Sequence, residues 1–232
     1  SLNPYFFVTI TPYETDIEPN VPDYCTVAHS VVKLASIIGS ASLCWRYDPI
    51  LITNKYSIAH HIKVFTELCK ILEHSVSSCI ISFVQLYEKT KRNFPSLREV
   101  SLEEKKELLV SLVPVASRYG IKIRTCAVTE DFNSEGLEKS GCITRSVFAS
   151  YTGIQVPPMC GGAKRKTCLC DLPTRDIGSY NSCLHGCLYC YANYDQNLVK
   201  RNYAQHDPSS PILIGSIKDC EVKEANQESY KA

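Results

Sequence analysis

Leu43-Cys-Trp-Arg-Tyr-Asp48, the amphipathic run from Ser57 to about Glu73, and Cys79-Ile-Ile-Ser-Phe-Val84 decide the fold class. Two short β-rich runs flank one longer helical run, the pattern of βα units on a parallel sheet. Ser57 is placed to cap the helix. The same rhythm continues on both sides. Tyr5–Thr11 reads as a preceding strand, and Pro22–Ile38 as a helix stopped by Gly39. Downstream, polar Gln85–Arg98 reads as loop, and Ser101-Leu-Glu-Glu104 as a capping-box start to a helix reaching Tyr119. Gly120 ends it, and Ile121–Val128 is a fourth strand. The expected class is α/β: a partial or N-terminally truncated TIM-like (βα) barrel with parallel strands. Ser1 in place of Met, with a strand almost at once, predicts sequence upstream.

A short helix is expected near Ser146–Ser150. After Gly153 the periodicity stops, and Pro157, Pro158, Gly161 and Gly162 lead into Lys164-Arg165-Lys166. This gives a βα-repeat domain over 1–153, an irregular cysteine-rich region over 154–200 and a polar tail over 201–232. Within the tail, Pro211–Ile217 reads as an edge strand and the last dozen residues as disordered.

Lys and Arg number 25 against 24 Asp and Glu, so no net field draws the chain to nucleic acid or to an acidic membrane surface. No stretch approaches the roughly 18 to 20 apolar residues of a membrane span, and no signal peptide opens the chain. A cytoplasmic location is expected. Thirteen cysteines are many for such a protein, and the odd number argues against a simple set of disulfides. Cys25, Cys44, Cys69 and Cys79 stand alone in apolar segments and read as small buried hydrophobes. Packing does not explain the crowding of Cys142, Cys160, Cys168, Cys170, Cys183, Cys187 and Cys190.

Function in parallel α/β folds gathers at the C-terminal strand ends. Polar residues follow each strand: Thr9, Thr11, Tyr13 and Asp16; then Arg46, Tyr47 and Asp48; then Ser82, Gln85 and Tyr87; then Thr125, Cys126 and Glu130. Arg46 and Asp48 are the candidate catalytic pair, as an ion pair or as an anchor for a substrate carboxylate. His29, His60 and His61 lie in amphipathic helices and read as surface or packing residues.

The chemistry-bearing text is Cys168-Leu-Cys170, Asp176-Ile-Gly-Ser-Tyr180 and Cys183-Leu-His-Gly-Cys187-Leu-Tyr-Cys190-Tyr-Ala-Asn193. Three thiolates on one tight loop, turned at Gly186, can hold a cubane with its fourth iron open. Tyr189 supplies an apolar wall beside the cluster and is the candidate cofactor-binding residue. Cys126, Cys142, Cys168 and Cys170 make a second four-cysteine site, or else Cys168 or Cys170 completes a closed four-thiolate centre with the other three. The cofactors expected are thus one or two [4Fe–4S] clusters, with zinc as the alternative.

The Cys183–Cys190 loop resembles the cluster loop of radical S-adenosylmethionine enzymes. That resemblance implies S-adenosylmethionine on the open iron and its reductive cleavage to a 5′-deoxyadenosyl radical. In those enzymes the loop follows the first strand, whereas here it follows the last. The Tyr13…Asp16-Ile-Glu-Pro-Asn-Val-Pro22, Trp45-Arg-Tyr-Asp-Pro49, Ser82-Phe-Val…Tyr87 and Asp176…Asn193 runs together look like the family named domain of unknown function 1848, over about Pro4 to Asn193. The leading expectation is a radical-type enzyme served by a reductant protein and acting on a small-molecule or macromolecular substrate. The alternatives are a non-catalytic or electron-transfer iron–sulfur protein, and a zinc-stabilised nucleic-acid binder using Lys164, Arg165 and Lys166. The near-zero net charge weighs against the last.

Overall fold

Four strands pair in parallel in the order the chain visits them: β1 (Phe6–Thr9), β2 (Leu43–Ile50), β3 (Ser78–Phe83) and β4 (Lys122–Thr125). This computed structural model describes residues 4–137, 139–158, 167–173 and 177–216. Between the strands run α1 (Tyr24–Ile38), α2 (Ile58–Leu72), α3 (Glu88–Asn93) and α4 (Leu102–Arg118), and after β4 come α5 (Arg145–Thr152) and α6 (Gln196–Ala204). Among the described residues β1 and β4 are the sheet's two edges.

Sequence-local chemistry sets the helix limits. The Asp23 side chain accepts from the Thr26 N–H and Ser57 from His60, while Ser101 and Glu104 form a complete capping box. Gly39 stops α1 at a φ of 87°, which a Cβ would disfavour.

Register then sorts the side chains by face. Trp45 pairs with Cys79 and Cys79 with Ile123, whereas Arg46 pairs with Ile80 and Ile80 with Arg124. Because successive strand residues point to opposite faces, Leu43, Trp45, Tyr47, Cys79, Ile81 and Ile123 share one side. Helices α1, α2 and α4 cover that side, burying Val31, Phe65, Leu68, Leu108 and Leu112 in the same core. The other side carries Cys44, Arg46, Asp48, Ser82 and Arg124. A smaller cluster of Cys44, Ile80, Cys142 and Cys170 packs on it, with Tyr5, Phe7, Cys126, Ile143 and Cys168 around it. No long helix covers this second face among the described residues; a cysteine-rich segment does.

Several expectations need correcting. Residues read as loop in Gln85–Arg98 include α3, and α6 crosses the expected boundary between the cysteine-rich region and the tail. The fourth strand is shorter than Ile121–Val128, because Ala127 turns to a φ of 51°. Residues 211–216 form no strand, while Ile217 and the last dozen residues lie outside the described set. No helix is long and apolar enough to cross a membrane among the described residues.

Candidate functional site

A cleft of about 400 Å³ opens at the C-terminal ends of the strands. Thr9, Thr11, Arg46, Asp48, Ser82, Gln85 and Cys126 line it from the sheet, and His185, Cys187, Tyr189 and Cys190 from the cysteine loop. Of the strand-end residues singled out above, Tyr13 and Tyr47 are instead buried in the helix-covered core, and Thr125 binds Ser140. Asp16 and Glu130 form ion pairs with Lys55 and Lys105.

Arg46 is ion-paired with Asp48, whose second oxygen accepts from Ser82 Oγ. The Arg46 and Asp48 side chains are only 25% and 16% exposed. Burial opposes the guanidinium charge, but Asp48 outweighs it and raises the Arg46 pKa. The cleft thus contains a fixed cation already paired with one carboxylate.

Opposite stands Glu18, 3% exposed, which sequence reading did not select. Its Oε1 accepts from Thr11 Oγ1 at 2.7 Å and from the Tyr189 hydroxyl. Burial pushes the Glu18 carboxyl above its ordinary range despite Tyr189, Thr11 and His185, and burial with Glu18 pushes the Tyr189 phenol up. Tyr189 is therefore a polar link to a buried carboxyl as well as a wall. The one signal available was a glutamate among the turn-forming residues of Asp16-Ile-Glu-Pro-Asn. Its partner lies 171 positions away.

Backbone bonds hold the cysteine loop over the cleft. The Leu188 N–H donates to Ile17 O at 3.0 Å and the Asn20 N–H to His185 O at 3.1 Å. Helix α3 braces it from the other side: Lys89, Thr90 and Arg92 donate to the carbonyls of Tyr191, Tyr189 and Tyr194. Asn193 Nδ2 closes the loop on Cys183 O at 2.6 Å, the Cys190 N–H bonds Cys187 O, and Gly186 supplies a φ of 71°. Cys183 is exposed, and Cys187 and Cys190 are half-buried. Burial, then Glu18, pushes the Cys187 thiol up to about 12.

Cys168 and Cys170 pack on the sheet's second face, whereas Leu188 and Tyr189 of that loop pack against the helix-covered core. Cys142 Sγ is 3.8 Å from Cys126 Sγ and 3.3 Å from Cys170 Sγ. Burial raises the Cys168 thiol, and the charges acting on it come from Cys170 and Cys126. Cys44 belongs to the same cluster, so it is buried as expected but not isolated. Cys69 and Cys79 are buried in the other core, and Cys25 is half-buried on α1. Among the described residues no three His, Cys, Asp or Glu side chains surround one ion position. Cys160, Gly161, Gly162, Lys164, Arg165, Lys166 and Asp176 lie outside the described residues.

The family model described as Domain of unknown function (DUF1848) matches residues 1–192, and the chain belongs to that family. No curated protein and no solved structure matches the chain.

Proposed function

We propose that this member of the domain of unknown function 1848 family is an iron–sulfur enzyme of the radical S-adenosylmethionine type. A [4Fe–4S] cluster would sit on Cys183, Cys187 and Cys190, and a polar or anionic substrate in the cleft. The observation that carries this reading is that Cys187 and Cys190 line the same cleft as Arg46, Asp48 and Glu18. The donor set fits: three thiols on one braced turn match a cluster that leaves one iron free of protein ligands. When bound, such a cluster supplies the electron that opens the sulfonium of S-adenosylmethionine.

The chain's own residues have separable tasks in this reading. Arg46, oriented by Asp48 and Ser82, would bind an anionic substrate group through its outward N–H donors. Glu18 and Tyr189 would hold a proton in a nearly dry corner, where burial strengthens the carboxyl's grip on it. Sequential strand order with α1, α2 and α4 on one face supports a (βα) barrel, whose inner side would be the face that carries Arg46 and Asp48.

Anaerobic reconstitution of the full chain with iron and sulfide tests the reading. The expected result is a thiolate-to-iron absorbance band near about 400 nm, together with iron and sulfide in equal numbers. An EPR signal that changes when S-adenosylmethionine is added is also expected. Cys187→Ala should lose the band and keep the far-ultraviolet circular dichroism. Zinc on these three cysteines with no band would refute the cluster. A band with an unchanged EPR signal would remove the radical chemistry.

A further inference from the structure

We propose that Cys126, Cys142, Cys168 and Cys170 form a closed four-thiolate site for a single zinc-class ion, separate from the Cys183–Cys190 loop. The site goes beyond the cluster reading and does not depend on it.

Three chain segments are stitched together at this place. Thr125 at the end of β4 donates through Oγ1 to Ser140 O at 3.0 Å and accepts from the Ser140 N–H at 3.3 Å. The Asp171 N–H donates to Ile143 O at 3.3 Å, and Asp171 in turn accepts from the Arg145 N–H at 2.7 Å and from Arg145 Nε at 3.0 Å. Gly141 makes the tightest approach: a Cβ there would lie 2.7 Å from the Leu169 carbonyl and 2.8 Å from the Cys170 nitrogen. Only glycine lets the backbone beside Cys142 touch the backbone between Cys168 and Cys170. Four cysteines from three distant stretches are thereby held in one layer.

Two of the sulfur separations approach those around one tetrahedral ion, although the side chains as they stand do not converge on a common point. Four sulfurs at about 2.3 Å from zinc lie about 3.8 Å from one another along the tetrahedral edges. Cys126 and Cys142 have that separation, 3.8 Å, and Cys142 and Cys170 are closer still at 3.3 Å. Thiolates on the outer corners of a cubane stand farther apart. The Ile143 N–H donates to Cys170 Sγ at 3.2 Å, the kind of bond that orients a metal thiolate.

Loading the site means that the four thiols release four protons to solvent and the side chains turn toward one point. A divalent ion with four thiolates leaves a charge of minus two. Arg46, whose charge acts on Cys126 and Cys142, sits beside it. Arg124, in register with Ile80 of the same cluster, adds a second cation to this face.

The experiment uses the full chain carrying Cys183→Ala, Cys187→Ala and Cys190→Ala, so that the loop contributes no ligand. Purified from medium with both metals, it should carry about one zinc per chain, with four sulfurs at about 2.3 Å in zinc X-ray absorption. Adding Cys142→Ala should remove the zinc. Should that variant not fold, Gly141→Ala keeps every thiol and should weaken zinc about tenfold to a hundredfold in a chelator competition. Zinc that is absent, unaffected by both substitutions or bound with nitrogen or oxygen in place of sulfur would overturn the proposal, as would iron and sulfide in this background. Iron on the intact chain is a separate readout, so either proposal can fail alone.

Discussion

At the scale of single residues, His61 shows how a buried titratable group reports on folding. Its Nε2 lies 2.9 Å from Leu51 O, which only accepts, so Nε2 carries the proton and Nδ1 accepts from the Tyr47 hydroxyl at 2.8 Å. Both ring nitrogens are satisfied in the neutral form, and burial lowers the pKa to about 4. The unfolded histidine titrates near about 6.5, so between these values the unfolded chain binds a proton that the folded chain refuses. Stability therefore rises with pH across that window and is lost as pH falls through it, by up to about 3 kcal/mol. Urea midpoints measured across that range should show the loss, and His61→Gln should flatten it. A wild-type midpoint independent of pH there would show that His61 protonates in place. The amphipathic pattern made His61 legible as a surface or packing residue, and burial decides for packing. Glu18 was not legible as a site residue, because its burial and its bond to Tyr189 arise only when remote segments meet.

At the scale of elements, legibility followed local chemistry. The long helices announced themselves through caps and apolar stripes, and α4 did so most clearly. Ser101 Oγ accepts from the Glu104 N–H at 3.2 Å, and Glu104 accepts from the Ser101 N–H at 2.9 Å while Arg98 grips it with both terminal guanidinium nitrogens. Ser101→Ala should lower unfolding stability by about 1 kcal/mol, read as a shift in denaturant midpoint with an unchanged slope. A neutral result would mean that packing of Leu108, Leu109 and Leu112 sets the start of α4 alone. By contrast, α3 has six residues, Glu-Lys-Thr-Lys-Arg-Asn, without an apolar stripe. Such a segment is too short to be helical on its own propensity. Its partner is the cysteine loop, whose carbonyls it binds through Lys89, Thr90 and Arg92. Helix α6 is similarly polar; Asp195 caps it, and Asn202 ties it to Asn181 O. Both helices are held by contacts with remote segments more than by their own sequences.

At the scale of the whole molecule, the sheet is held by two unlike covers. The helix side is a large apolar core whose burial, at about 25 cal/mol per Å², dominates stability. The other side is a small cluster of cysteines and aromatics over charged strand residues, fastened by side-chain to backbone bonds and by Arg145–Asp171. Covers so different need not open together, since the free energy of a local opening is set by the apolar area and hydrogen bonds of that region alone. Asp171→Ala removes both bonds to Arg145, whose partners are 35% and 41% exposed, and such partly wet pairs contribute little to global stability. The denaturant midpoint should accordingly move by less than about 0.5 kcal/mol. Hydrogen exchange is more discriminating. Amides of 140–145 and 168–172 should exchange about tenfold faster, whereas those of α2 and α4 should keep their protection. Protection lost equally on both sides would mean that the cysteine segment is part of the main cooperative unit. The cleft at the strand ends would then have no separately mobile wall on the side where Cys126 lines it.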